Sequence, residues 1–275
     1  MLKFSHSSAR VSSPSGKPVD WSSVTHLAIG AHPDDLEFMA GHGIVQCMSQ
    51  FMDKNSNRGF AGVTVASGAE DQVLKEVRRK EQEEAARLGD YKAIVTLDHL
   101  SRELKLGNRT ALVEDLKEIL SQVRLEVLYT HNPMDKHDTH VAVCVSVIEA
   151  LRALPADRHP KLVYGCEVWR GLDWLIDQQK SILDVSAGED LLRDLMKVYK
   201  SQLADKAYDE AVMGRKRSNA TFLDARAKDQ MKYCEYALDM TPLIRDPNLS
   251  VMGWVGSHLQ AFGDDVNQRL KRFLG

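Results

Sequence analysis

Residues 25–38 read Thr-His-Leu-Ala-Ile-Gly-Ala-His-Pro-Asp-Asp-Leu-Glu-Phe and join the end of one element to the start of another. The first part is short, mostly apolar and β-compatible, which predicts a buried strand. The second part opens a segment with apolar residues at helical spacing. His32, Asp34 and Asp35 therefore lie between a strand and a helix, where open α/β sheets bind ligands. A plainer interpretation is that Asp34 or Asp35 only caps the helix.

Strand-like and helix-like segments alternate along the chain beyond this stretch. Short apolar runs predict strands at 25–30, 60–67, 92–97, 126–130 and 161–165. Segments of helical periodicity between them predict helices at 35–51, 71–88, 109–124 and 139–153. This alternation predicts an α/β fold with a Rossmann-like, mostly parallel, doubly wound sheet. No GxGxxG or GxxxxGK[ST] pattern follows a predicted strand, which argues against a dinucleotide enzyme.

The two ends of the chain depart from the alternation. Residues 1–20 are rich in Ser, Lys and Pro and predict a flexible N-terminal arm or an extended lead-in. We expect 21–275 to form a single α/β domain with a C-terminal helical subregion from about residue 166. In this subregion 187–211 and 222–238 look helical, and the aromatic segment 168–175 suits a sheet edge or a pocket wall.

Composition limits the class of protein. The 275 residues are 43% hydrophobic and 27% charged, with a formal net charge of −3. Such a balance gives no general attraction to nucleic acid or to an anionic membrane. The four cysteines are dispersed without a CxxC pattern, and neither a secretory leader nor a long apolar run is visible. These features predict a cytoplasmic protein without a membrane span, and they leave a homo-oligomer open.

A second polar cluster, residues 131–140, directly follows the predicted strand at 126–130. It reads His-Asn-Pro-Met-Asp-Lys-His-Asp-Thr-His. Since parallel strands end at one edge of a sheet, both clusters are expected to face the same crevice. Catalytic zinc favours three protein ligands and an open position for water, and His32, Asp35 and His140 provide that number. Ferrous iron suits two histidines and a carboxylate as well.

The remaining acidic and basic groups suit proton transfer. One carboxylate can hardly bind a metal and act as a free base from the same orientation, so a division of roles between Asp34 and Asp35 is natural. Asp34 is then the candidate general base. His137, about one helical turn from His140, could stay protonated and stabilise an oxyanion or protonate a leaving amine.

The two clusters resemble motifs of the PIG-L/LmbE-like zinc-dependent de-N-acetylase family. His32-Pro-Asp34-Asp35 with Glu37 and Gly41-His-Gly43 closely resembles its A-H-P-D-D-x-E-x-x-x-G-G-T motif, and Asp135-x-His137-x-x-His140 is similar to its D-x-H-P-D-H motif. Weaker similarities run through most of 24–240, at 67–70, 78–86, 199–202 and 233–237.

The resemblance implies a zinc-dependent amidohydrolase of Rossmann-like fold. Its implied substrate is a small N-acyl amino sugar, such as an N-acetylglucosamine, or a related conjugate. By position, the family's metal ligands fall on His32, Asp35 and His140, its general base on Asp34 and its charge-stabilising histidine on His137.

Four further residues are candidate substrate contacts. Arg78 and Glu70 lie in segments that resemble the family's helix and loop after the second strand. Asp98 follows the third predicted strand, and its loop should open towards the crevice, where it could bind a sugar hydroxyl or a substrate anion. His131 is the first residue of the second polar cluster. It directly follows the predicted strand and could line the site.

One departure from the family motif concerns the second loop. Thr139 stands where the family has an Asp that orients and charges the first histidine. Asp138 or Asp135 could replace that carboxylate. Alternatively, His137 has a lower pKa and a weaker role.

Two other classes of protein remain open. The chain could be a non-catalytic relative that binds a sugar-like ligand in the crevice, which the change at Thr139 would favour. It could also be a hydrolase or transferase on a different α/β sheet, with structural histidines. A bound-metal measurement separates the last class from the other two.

Overall fold

The computed structural model describes residues 2–48, 50–51 and 57–275. Its strands are β1 (Arg10–Ser12), β2 (His26–Gly30), β3 (Phe60–Thr64), β4 (Ala93–Thr96), β5 (Val127–His131), β6 (Leu162–Cys166), β7 (Lys180–Asp184) and β8 (Cys234–Asp239). Its helices are α1 (Asp35–Met39), α2 (Gly41–Cys47), α3 (Gln72–Leu88), α4 (Ser101–Lys105), α5 (Thr110–Leu120), α6 (Asp138–Arg152), α7 (Glu189–Met196), α8 (Lys200–Leu203), α9 (Tyr208–Phe222), α10 (Thr241–Arg245) and α11 (Val251–Leu274).

All eight strands form one sheet in the order β1-β4-β3-β2-β5-β6-β8-β7. The five central strands run parallel, and β1, β7 and β8 pair antiparallel at the two sides. The chain moves outward from β2 in one direction through β3 and β4, and then returns to add β5 on the other side. The strand order therefore reverses between β2 and β5, which is where such sheets form a ligand crevice.

Both faces of the sheet are covered by helices, so its central strands are apolar on both sides. Leu27 and Ile29 of β2 pack on one face with residues of α5, α6 and α10. Ala28 packs on the other face with residues of α1, α2, α7 and α9. The predicted α/β fold with a mostly parallel, doubly wound sheet is confirmed. Among the described residues, no helix has the length and apolar character needed to cross a membrane.

The first two thirds of the chain follow the sequence prediction closely. Each of the five predicted strands and four predicted helices is present, with bounds shifted by a few residues. The predicted helix at 35–51 is divided at Ala40, and its Ser49 lies outside the described residues.

The C-terminal subregion differs more from the prediction. Only α9 enters the segment 222–238, which was expected to be helical; most of it is irregular and its end begins β8. The prediction of a helix there is wrong, because antiparallel pairing of β8 with β6 and β7 outweighs local preference. Residues 187–211 contain α7, α8 and the start of α9 rather than one helix. The long helix α11 was not predicted.

The N-terminal segment contacts the domain at several points, of which two hold its backbone. Strand β1 pairs antiparallel with β4 at the sheet edge. The backbone N–H and the hydroxyl of Ser5 both donate to Oδ1 of Asp115, at 2.8 Å each. The extended lead-in is therefore the better description of the part of this segment that contains β1 and Ser5.

A buried carboxylate fixes the position of α1. Glu37 is fully buried and accepts three hydrogen bonds, from the hydroxyls of Tyr199 at 2.6 Å and Tyr91 at 2.7 Å and from Nε2 of Gln82 at 3.1 Å. Burial raises the pKa of Glu37 and the three donors oppose that rise. These donors come from three separate segments, so α1 is held from several directions directly after Asp34 and Asp35.

We expect Tyr199→Phe to lower the free energy of unfolding by about 1–3 kcal/mol, since it leaves a buried carboxylate oxygen without its donor. Urea denaturation measures this change. Tyr236→Phe is the matched control, because the Tyr236 hydroxyl donates to the neutral carbonyl of Asn219. If the control loses as much stability as Tyr199→Phe, Glu37 is not the anchor described above.

Stability should also fall in mild acid because of His26. This side chain is 3% exposed, and burial, followed by the charge of Arg58, lowers its pKa to about 4. The unfolded chain binds a proton near pH 6.5 and the folded chain only near pH 4, so stability is lost as the pH falls through this window. The loss amounts to about 3 kcal/mol at 1.36 kcal/mol per unit. His26→Gln should remove this part of the dependence in unfolding curves at pH 7 and pH 4.

Candidate metal and catalytic site

Two loops at the carboxyl ends of β2 and β5 meet at the strand-order reversal. The first loop carries His32, Asp34 and Asp35, and the second leads through Asp135 to His140 at the start of α6. Because β2 and β5 pair in parallel, both loops leave the same edge of the sheet. The crevice predicted from the two sequence clusters is therefore present.

Asp34 adopts an unusual backbone conformation and does not cap the helix with its side chain. Its φ is 89°, a left-handed value that costs a non-glycine residue about 1–3 kcal/mol. It occupies the N-cap position of α1 without a side-chain capping bond. The plainer interpretation, in which this carboxylate serves only as a cap, does not describe Asp34.

Asp35 connects the two loops. Its Oδ2 accepts the backbone N–H of His32 at 2.7 Å and lies 3.4 Å from Nδ1 of the same histidine. Its Oδ1 lies 3.5 Å from Nε2 of His140. Asp35 is 3% exposed and His140 is 2% exposed. One buried carboxylate thus faces an imidazole from each loop.

His140 is oriented by a second carboxylate behind it. Nδ1 of His140 lies 3.0 Å from Oδ2 of Asp135. A proton on Nδ1 satisfies that contact and leaves the lone pair of Nε2 directed at Asp35. Metal-ligating histidines commonly have this arrangement, in which a carboxylate fixes the tautomer.

Two overlapping groups of side chains could hold a metal ion. Within each group, the ligand atoms lie within 4.8 Å of one another. The groups are His32 with His137 and His140, and Asp35 with His131 and His140. His140 belongs to both groups, and the set predicted from sequence takes His32 from one and Asp35 from the other.

His131 is less suited to metal binding than the other members. It is fully buried, and its Nε2 accepts the backbone N–H of Ala31 at 2.9 Å and lies 3.3 Å from Oδ2 of Asp35. This nitrogen is therefore already engaged on two sides. His131 lies beneath the site and supports Asp35.

The two adjacent carboxylates have opposite pKa shifts. Burial, reinforced by the charges of Asp35 and Glu37, raises the pKa of Asp34 well above its usual value. Burial also opposes ionisation of Asp35, but His140 and His131 outweigh it and hold the pKa of Asp35 well below its usual value. Such a divergence is typical of carboxylates with separate acid–base roles.

His137 has no carboxylate partner on its ring. Its Nδ1 is buried without a hydrogen bond. Asp135 accepts only the backbone N–H of His137, at 2.9 Å, while Asp138 is exposed. Burial and the neighbouring His140 and His32 lower the pKa of His137 to about 4. These surroundings favour the alternative of a neutral His137 over a protonated one.

A cavity of about 510 Å³ opens above these groups. Among the residues predicted from the sequence, it is lined by His32, Asp34, Asp35, Arg78, His137 and His140. Arg78 donates to the carbonyl of Ser67 at 3.0 Å. Gly68 has a φ of +64°, and a Cβ there would lie 2.7 Å from Arg78 Nη1, so glycine allows the guanidinium to reach the cavity.

Three of the four predicted substrate contacts do not line this cavity: Glu70, Asp98 and His131, which is fully buried beside Asp35. Glu70 is exposed on the surface, 3.5 Å from Arg102. Asp98 lines a separate cavity of about 340 Å³, where it binds Lys75 at 3.0 Å and Ser8 at 2.7 Å. Asp98 therefore faces the N-terminal segment, whereas Ser101, three residues further along, has its hydroxyl 3.4 Å from Nε2 of His32.

The far wall of the cavity was anticipated only in part from the sequence. It consists of residues from the C-terminal subregion, including Trp169, Ser201, Gln202, Tyr208 and Arg215. The Trp169 ring lies nearly parallel to that of His137, with centroids 6.3 Å apart. Segment 168–175, which suits a pocket wall, includes Trp169, and the family-like segment 199–202 includes Ser201 and Gln202. Tyr208 and Arg215 were not singled out, although Tyr208, Ala211, Val212 and Arg215 recur as one face of a helix.

Comparisons with known proteins agree with the two-loop motif. The sequence model of a family described as "PIG-L: GlcNAc-PI de-N-acetylase" matches residues 27–151. An uncharacterized deacetylase of Escherichia coli K12 is 28% identical over 133 residues, which is 47% of this chain and 69% of that protein.

Solved structures share the fold at low sequence identity. An N,N'-diacetylchitobiose deacetylase from Pyrococcus horikoshii aligns with a TM-score of 0.61 and 20% identity, covering 81% of this chain and 85% of that one. A 4-carboxy-2-hydroxymuconate hydratase from Pseudomonas putida KT2440 aligns with a TM-score of 0.59 and 16% identity, covering 82% and 98%. Enzymes that share this fold are therefore named for different reactions, a deacetylation and a hydration. The part of this chain that the PIG-L family model matches, residues 27–151, contains both site loops.

Proposed function

We propose that this protein is a metal-dependent hydrolase that removes an N-acetyl or other N-acyl group from an amino sugar or a related small conjugate. The observation that carries the proposal is the pair Asp34 and Asp35, two adjacent buried carboxylates of opposite pKa shift beside His140. The match of residues 27–151 to the PIG-L family model and the similarity to a deacetylase of Escherichia coli K12 support the same reaction class.

The donor set fits a divalent metal. His32, Asp35 and His140 offer two imidazoles and a carboxylate, and Asp135 holds His140 in the tautomer that leaves Nε2 free. Zinc is the proposed ion, and ferrous iron suits the same donors. A metal bound there would supply Lewis acidity, which polarises the amide carbonyl and lowers the pKa of a water molecule.

The protein's own residues would move the protons. Asp34 lies at the cavity wall, where its carboxylate can take a proton from the attacking water and later return it to the amine nitrogen as the C–N bond breaks. Its raised pKa suits both steps, because the protonated form is then a usable acid. A neutral His137 can donate one N–H to the carbonyl oxygen as negative charge develops there.

The rest of the cavity would hold the sugar. On one side Arg78 offers N–H donors, and Ser201, whose hydroxyl donates to Glu81 at 2.6 Å, offers an acceptor oxygen. Trp169 and Tyr208 offer aromatic faces on the other, with their rings 6.0 Å apart and perpendicular. A cavity of polar groups opposite aromatic rings suits a ring that carries both hydroxyls and apolar C–H faces.

Metal content tests the donor set. We expect purified protein to carry about one equivalent of zinc or iron by elemental analysis, and His140→Ala to lose most of it, because one of three ligands is removed. His159→Ala is the control, since His159 binds the carbonyl of Leu154 at the other end of α6. Wild-type protein without a stoichiometric metal would contradict the metal-dependent mechanism.

Acetate release from a panel of N-acetyl sugars tests the reaction and the base. We expect Asp34→Asn to lower kcat/KM by about 10²- to 10⁴-fold, the usual contribution of a general base, with metal content unchanged. Asp98→Asn is the matched control, because Asp98 also has a positive φ but lies in the other cavity. Full activity in Asp34→Asn would refute the base assignment.

The same assay separates the alternative classes. A non-catalytic relative would bind metal and an acetylated sugar without releasing acetate from any member of the panel. A hydrolase with structural histidines would keep its activity after metal is removed with a chelator. The proposed enzyme should lose activity on chelation and regain it when zinc or ferrous iron is added.

A further inference from the structure

A further carboxyl group lies behind the metal-binding loop, and the proposed mechanism does not use it. Glu167 directly follows β6, whose last residue pairs with the last residue of β5. It therefore reaches the same edge of the sheet as the loop that carries Asp135 and His140. Oε1 of Glu167 is buried, and no donor of the described residues bonds to it. A buried polar oxygen without a partner needs an explanation.

The other oxygen of Glu167 is fixed by a buried amide. Nδ2 of Asn132 donates to Oε2 of Glu167 at 3.1 Å and to the carbonyl of Cys166 at 2.9 Å. Asn132 is fully buried, and its side-chain oxygen accepts the backbone N–H of Met134 at 2.8 Å. These bonds tie Glu167 to the start of the loop that leads to His140.

The carboxyl group of Asp135 lies within hydrogen-bonding reach of Glu167. An ionised carboxyl group can only accept hydrogen bonds, so two carboxyl groups bond to each other only when one of them carries a proton. Asp135 already has two other contacts: its Oδ2 faces Nδ1 of His140 at 3.0 Å, and its Oδ1 accepts the backbone N–H of His137 at 2.9 Å. Both contacts favour the ionised form of Asp135. The shared proton therefore belongs on Glu167.

The surroundings of Glu167 also favour its protonated form. Burial, followed by the charge of Asp135, raises the pKa of Glu167 to about 7, although Asn132 and the backbone N–H of Arg170 oppose the rise. Three cationic side chains line the small cavity beside Glu167, and each bonds to another group. They are Arg170, which donates to the carbonyl of Met134, Arg215, which donates to the carbonyls of Val168 and Trp169, and Lys216, which pairs with Glu235.

We propose that Glu167 is a positioning residue, a carboxylic acid that donates a hydrogen bond to Asp135 and thereby holds Asp135 against Nδ1 of His140. The proposal rests on the proposed function, in which His140 binds the metal ion. Glu167 also directly precedes Val168 and Trp169 of the cavity wall, so the same bond links that wall to the metal-binding loop.

The zinc affinity of the full chain, measured by competition with a chromophoric chelator, tests the proposal. Glu167→Met removes the donor at similar size and should weaken zinc binding by about 10- to 100-fold, the usual effect of losing a group that orients a ligand. Glu167→Gln keeps an N–H donor for Asp135 and an oxygen that accepts from Asn132, so its zinc affinity should equal that of the wild type.

Glu189→Met is the matched control. Glu189 is also half-buried and accepts hydrogen bonds from Arg193 and Tyr233, but it lies at the start of α7. Its replacement should leave zinc affinity unchanged. Circular dichroism confirms that each variant is folded.

Two further measurements distinguish the proposed hydrogen bond from a general effect on structure. At about pH 6, below the pKa of Glu167 of about 7, the infrared difference between wild type and Glu167→Gln should contain the carbonyl band of a protonated carboxyl group. In an Asp135→Asn background, Glu167→Met should cause no further loss of zinc affinity, because Glu167 acts through Asp135.

Equal zinc affinities of wild type and Glu167→Met overturn the proposal. A loss in Glu167→Gln as large as that in Glu167→Met also overturns it, because it would indicate an ionised Glu167, and so does the absence of the infrared band. None of these measurements uses acetate release. Zinc affinities in the expected order without acetate release therefore contradict the proposed function alone, and acetate release with equal zinc affinities contradicts the role of Glu167 alone.

Discussion

The buried carboxylate of Glu37 is the constraint on which the site geometry depends. A charged or polar group that is buried away from water needs hydrogen bonds from the protein. Glu37 receives them from three donors in separate segments. Glu37 follows Asp35 by only two residues, so these bonds hold the first turn of α1 in place. A helix fixed in this way can impose the positive φ of Asp34, which costs free energy locally and needs support from its surroundings.

The support extends from the first loop to the C-terminal subregion. Gln202 donates to the carbonyl of Pro33 at 2.7 Å, and the buried Lys216 donates to the carbonyl of Phe38 at 2.7 Å while pairing with Glu235. The segments that supply the cavity wall therefore also hold the loop that supplies the carboxylates. A change in the C-terminal third should reach the catalytic loop through these bonds, since a buried charge cannot lose its partner without a large cost.

From the sequence we could predict those residues of the candidate site whose position depends only on where individual strands end. Asp34, Asp35 and His140 follow the ends of apolar strands, and parallel pairing alone brings such positions to one edge. Trp169 and Tyr208 could not be placed in this way, because their position depends on how β8 and α9 pack against distant strands. Helix α11 was missed for a different reason: Gly253, Gly256 and Gly263 lower its intrinsic helix preference.

With Thr139 in place of the family's Asp, the proposed reaction keeps the same steps, but the contribution of each residue to them changes. Asp135 faces Nδ1 of His140 and accepts only the backbone N–H of His137, and Asp138 is exposed, so neither carboxylate bonds to the His137 ring. Thr139 itself is buried with its hydroxyl unpaired. A neutral His137 can donate a hydrogen bond but adds no charge, and charged hydrogen bonds are roughly twice as strong as neutral ones. Stabilisation of a developing oxyanion would then rest more on the metal, and the return of a proton to the amine would rest on Asp34. In the proposed reaction, the raised pKa of Asp34 would allow this one carboxyl group to perform both proton transfers.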